Sequence, residues 1–226
     1  NFSARCYARN EIEKHIKEWG FTEKQYRGYS VFPGLEMPQL IFAWDYLPRE
    51  DLETRYTPLY NDAKRIFLNE SKIINSLIKN GMFHAMANAY LLDCSVGENF
   101  YEFDQVTTSM ERGEEHATAT ILQKNRKVIK KALYPRGNTT IKNLVTNMRE
   151  LKLRGIATVE LEQMEIGNCD ETMLLACQMD YIDAPLAIKY LKNLLYENKE
   201  KFRQAVCKFL DTIMDSGDAK KGEKSE

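Results

Sequence analysis

Charge in this chain is sorted into blocks, and that sorting limits how its middle third can fold. Residues 121–155 hold Lys124, Arg126, Lys127, Lys130, Lys131, Arg136, Lys142, Arg149, Lys152 and Arg154 against one acid, Glu150, a net +9. The preceding residues 93–120 are net −6, and residues 156–187, which contain no Lys or Arg, are net −7. The whole chain is −1. Like charges cannot be gathered away from water, so each block must be solvated, face an opposite block, or face a partner.

At 226 residues the chain can bury a core, as one large domain or two small ones. A composition of 43% apolar and 29% charged residues suits a globular protein and excludes a disordered tail or a membrane bundle. The longest apolar runs, such as Leu40-Ile41-Phe42-Ala43-Trp44, fall far short of the roughly 20 residues that cross a bilayer. The sequence starts at Asn1 and not at a methionine, so it is expected to be a piece of a longer chain and targeting segments are not judged. The five scattered cysteines, Cys6, Cys94, Cys169, Cys177 and Cys207, match neither a zinc nor a redox spacing. Buried free thiols in a reducing compartment are the expectation.

Helical spacing dominates the pattern. Ile12, Ile16 and Trp19 predict a helix over 11–19 closed by Gly20, and Leu59 to Asn80 predicts another closed by Gly81. Residues 82–92 read as a compact Ala/Met-rich helix, and 118–133 and 138–153 as two more, the last started at Asn138 and ended by Gly155. Thr158 to Glu162 alternates like a strand, whereas Glu171 to Asp180 reads as helix. From Pro185 to about Met214, Ile188, Leu191, Leu195, Phe202, Val206, Phe209 and Ile213 step by threes and fours, apart from a gap at Asn198. That spacing predicts one long amphipathic helix with a coiled-coil-like seam.

The expected fold is therefore mainly α. It comprises a compact N-terminal helical domain (1–92), a charged middle region (93–184), a C-terminal amphipathic helix (185–215) and a disordered tail (216–226). Trp19, Leu40, Phe42 and Trp44 are expected to be buried together in the first of these.

Motifs for catalysis are missing. His15, His84 and His116 lie on separate elements outside any ligand spacing, and the abundant carboxylates read as a solvated face. No nucleophile elbow, dinucleotide fingerprint or Cys/His pattern is present, so no catalytic, cofactor or metal residue is assigned. The basic block remains. Lys124, Lys127 and Lys131 make one ridge on a helix, with Lys130 and Arg136 beside them. Such a ridge suits an acidic protein, the chain's own acidic segments, or the phosphates of a nucleic acid. The seam residues Leu191, Leu195, Phe202, Val206 and Phe209 suit a helical partner.

Three stretches, Glu18-Trp19-Gly20-Phe21, Phe32-Pro33 and Gln39 to Leu47, resemble the opening domain of the tubulin epsilon and delta complex protein 1 family. There a helix ending in Trp-Gly-aromatic precedes a leucine-rich helix. Lys208 to Met214 is similar to that family's C-terminal aromatic-x-x-Met-Asp segment. This chain departs from the pattern at Asp45, where a small residue is usual, and at Pro48, which cuts the second helix short. The resemblance implies a calponin-homology-like helical domain and a non-enzymatic scaffold at the centriole, cytoplasmic and associated with tubulin-family proteins. No binding residue transfers, because the matched positions are core-type. The expected function is thus an adaptor with helical or acidic protein partners and no membrane. The alternative is a helical nucleic-acid-binding protein, of viral nucleoprotein type, using 121–155.

Overall fold

The computed structural model describes residues 7–49, 52, 70–97, 100–110, 112–169 and 171–222. The chain divides into two compact units, residues 1–109 with 119–125, and residues 110–118 with 126–226. Both mix helices with antiparallel strands, which overturns the mainly α expectation and, with it, the helical reading of 1–92.

In the first unit, helix α1 (Arg9–Glu18) forms as its spacing predicts. Glu11 accepts the free N–H of Ala8 at 2.8 Å, and Gly20, at φ +89°, closes the far end with Phe21 N–H bonded to the Ile16 carbonyl. Five strands follow, β1 (Tyr26–Phe32), β2 (Leu40–Ala43), β3 (Ala89–Cys94), β4 (Phe103–Ser109) and β5 (Thr118–Gln123), in the order β3-β1-β2-β4-β5. The pairs β1–β2, β1–β3 and β2–β4 are antiparallel. Helix α2 (Glu70–Lys79) lays Ile74 and Ile78 on Phe32, Leu40, Phe42, Leu52 and Phe83, which form the core. The expected helix start at Leu59 lies outside the described residues.

Leu40 and Phe42 are buried as expected, and Trp44 is half-buried, but Trp19 is 71% exposed and belongs to no core. A helix over 82–92 does not form either. A single 3-10 turn (His84–Met86) gives way to β3, because Tyr90 and Leu91 find a partner in β1. Gln39 to Leu47 is β2 followed by a turn, since Leu40-Ile41-Phe42 can be buried on both faces only between two strands.

In the second unit the strands β6 (Lys127–Ala132), β7 (Glu162–Cys169) and β8 (Thr172–Asp180) run in the order β6-β8-β7, antiparallel throughout. The helix expected over 118–133 is replaced by β5 and β6. Thr118, Thr120, Ile121, Val128 and Ile129 favour strand, and Arg126, at φ +64°, turns the chain between them. Glu171 to Asp180 is likewise a strand, and Leu174 to Cys177 are buried in a row because β8 is flanked on both sides.

Helix α3 (Asn138–Leu153) has the expected bounds. It buries Ile141 and Val145 against Ala132, Leu175 and Cys177. Asn138 does not cap it. Its amide instead bonds the Met173 carbonyl (2.9 Å) and the Leu175 N–H (2.8 Å), tying the helix start to β8. The single C-terminal helix is also overturned. Asn198, at φ −156° and ψ 103°, breaks it into α4 (Ala187–Glu197) and α5 (Lys199–Gly222), which pack on each other, so no long coiled coil forms.

Candidate functional site

The basic block is largely neutralised from within. Lys124 reaches Asp45 at 2.6 Å and Asp104 at 3.5 Å, and Arg126 reaches Asp183 at 3.0 Å. Lys127 pairs with Asp180, Lys152 with Glu160 and Arg136 with Glu114. The opposite blocks therefore meet, which is one of the outcomes their sorting allowed. Lys124, Lys127 and Lys131 do not make a helical ridge, because they lie at the turn and on strand β6.

Among the described residues, Lys130, Lys131, Lys142 and Arg149 of the block have no ion pair. Lys130 and Lys131 are adjacent on β6 and so point to opposite faces. Lys130 stands opposite Cys177, on the face that carries Ala132 and α3, and is half-buried. Burial pushes the Cys177 thiol up, and the Lys130 ammonium beside it works the other way. Two residues along the same face, Val128 stands opposite Met179. A groove of about 490 Å³ opens at Met179, lined by Arg149, Glu160, Leu161, Glu162, Gln163 and Gln178 with the paired Lys127 and Asp180, and Lys130 does not line it. Beyond Asp180 residues 181–186, outside any helix or strand, lead into α4.

Of the expected seam, Leu191, Phe202 and Val206 are half-buried, while Leu195 (42%) and Phe209 (65%) are exposed. Ile188, Tyr196, Ile213 and Met214 are also exposed on α4 and α5.

The histidines take structural roles, apart from one another. His84 Nε2 faces the Tyr46 carbonyl at 2.9 Å and must donate to it, so Nδ1 accepts from the Ser30 hydroxyl at 2.9 Å. Burial lowers its pKa from 6.5, with the Tyr46 bond opposing. His15 contacts Glu18, and His116 contacts Thr140. The described residues contain no cluster of His, Cys, Asp and Glu able to hold a metal. The expectation of buried thiols holds for Cys177 alone of the four described cysteines, since Cys94 and Cys207 are exposed and Cys169 is intermediate. No helix among the described residues is long and apolar enough to cross a membrane.

Comparison with protein-family models, with characterised proteins and with solved structures returns no match. The cytoskeletal and centriolar expectation loses its footing in the fold, because the segment read as a leucine-rich helix is β2.

Proposed function

We propose that the second unit binds a phosphorylated small molecule of the nucleoside triphosphate class, with Lys130 as the phosphate contact. The observation that carries this is Lys130 itself, a half-buried ammonium on the α3 side of β6 with no ion pair among the described residues. A lysine withdrawn from water calls for a counter-charge, and a compact ammonium suits a phosphate oxygen.

A local parallel in a strand and the helix after it adds to it. In protein kinases the strand run Val-Ala-Ile-Lys supplies the lysine that holds the α- and β-phosphates, paired with a glutamate of helix αC, beneath a glycine-rich loop. Here Val128-Ile129-Lys130 occupies a strand, and α3 follows it. Two parts depart from that arrangement. Residues 110–117 contain one glycine, Gly113, and the only acid of α3, Glu150, contacts Arg154 at 3.5 Å. Binding is therefore proposed and no transfer step is assigned.

Calorimetric titration with MgATP tests it. Lys130→Met should weaken binding at least about tenfold, whereas Lys131→Met, on the opposite face, should change it little. Equal losses in the two variants would point to diffuse attraction for polyanions, the nucleic-acid reading, and absence of saturable MgATP binding would sink the proposal.

Binding of a protein partner is a second reading, favoured by the apolar side chains that α4 and α5 leave in water. Phe209, 65% exposed, stabilises little by itself. Phe209→Asp should leave the melting temperature unchanged and abolish any concentration-dependent self-association or co-purified partner. A complex that survives the substitution would argue against this surface.

A further inference from the structure

In the first unit β2 ends at Ala43, while β1 begins at Tyr26 and β4 at Phe103, so the start of β1 has no strand beside it on that side. Trp44 fills part of the gap. Its backbone N–H bonds the Gly28 carbonyl at 3.0 Å, and its indole lies flat on Gly28, where any Cβ would come within 2.1 Å of the ring. The Arg9 guanidinium lies 4.7 Å from the indole centroid. The indole Nε1–H is nonetheless buried without a hydrogen-bond partner among the described residues. A buried donor left unpaired is uncommon, and with under 1 Å² exposed it is closed to anything in the cavity.

A cavity of about 290 Å³ opens at this place. Its apolar wall is the stacked pair Tyr29 and Phe103, with centroids 4.7 Å apart. Most charges around it are engaged with one another, Arg9 with Glu13, Glu23 with Lys17, and Asp45 with Lys124. Two are not. Arg27 donates to the carbonyls of Glu23 and Tyr26 and lies over Phe100, and Glu102 has no ion pair among the described residues. Both act on the same aromatic wall. The Tyr29 hydroxyl is pushed up to about 12 by burial first and by Asp93 next, with Glu102 adding to the rise and Arg27 opposing it.

We propose that this cavity binds a small zwitterion of aromatic amino-acid size. Its ring lies against Tyr29 and Phe103, its carboxylate accepts from Arg27, and its ammonium faces Glu102. One cation and one carboxylate, each without an ion pair among the described residues, flank an aromatic wall and match a ligand with both charges. A ligand with a single charge leaves one of them unanswered.

The test uses the full chain in a Trp19→Phe background, which leaves Trp44 as the sole tryptophan reporter. Titration with L-phenylalanine should give a saturable change in Trp44 emission. The single-charge analogues 2-phenylethylamine and 3-phenylpropionate should bind at least about tenfold more weakly. Arg27→Gln should weaken L-phenylalanine and 3-phenylpropionate but not the amine. Glu102→Gln, at an exposed position, should weaken L-phenylalanine and the amine but not 3-phenylpropionate. No saturable response to L-phenylalanine, equal affinity for a single-charge analogue, or a uniform loss for all three ligands in both variants would overturn the proposal.

Discussion

Replacing Phe42 by alanine is expected to cost about 3–5 kcal/mol, the range for emptying a buried aromatic site. Phe42 is fully buried and sits where the first unit's core converges. Its ring is 5.1 Å from that of Phe83 and 6.2 Å from that of Phe32, both edge-on, and 6.5 Å from that of Tyr46. These rings come from β1, the turn before the 3-10 segment and the loop after β2, so none can close the void without shifting its own backbone. Urea denaturation should show the loss, and amide exchange should locate it in β1 and β2. A cost below about 1 kcal/mol would mean that the cluster does not hold this unit together.

Ile141→Asp should cost more than about 4 kcal/mol and unfold the second unit at moderate temperature, because it puts a carboxylate into an apolar cluster. Ile141 is fully buried among Ala132, Val145, Leu175 and Cys177, side chains that offer a carboxylate no hydrogen bond to replace those of water. The next residue supplies the control. Lys142 is exposed on the outer side of α3, and Lys142→Asp should stay within about 0.5 kcal/mol. Loss of amide protection across β6 and β8 in the first variant alone is the expected result. Equal protection in both would show that α3 does not hold the sheet.

How far the sequence could be read differs from element to element. Helices α1 and α3 were legible because a 3.6-residue apolar stripe ran into a glycine that could take positive φ, Gly20 in one case and Gly155 in the other. Strands β5, β6 and β8 were not. Lysines at 124, 127 and 131 imitate a helical face, and Leu174 to Cys177 is an apolar run that fits a buried strand or a buried helix equally well. The decision depended on neighbours far away in sequence. β8 is a strand because β6 and β7 flank it, and β3 is a strand because β1 offers it a ladder. The break at Asn198 was visible as a missing apolar step, yet only the packing of α5 on α4 turned that step into a bend.

The candidate sites divide in the same way. The order of charges along the chain determined that a strongly basic stretch lay between two acidic ones and that these had to be answered by solvent, partner or one another. Which lysines remained for a ligand was decided in three dimensions, when Asp45, Asp104, Asp180 and Asp183 were brought to Lys124, Arg126 and Lys127 while Lys130 was turned toward α3. The cavity beside Trp44 had no signal along the chain at all. Arg27, Trp44 and Glu102 come from three separate segments, and they converge only because β2 stops short of the strands on either side. Periodicity and charge are properties of neighbours in sequence, so they can be read from it. Ion pairing and cavity lining are properties of neighbours in space, and antiparallel pairing over tens of residues sets those.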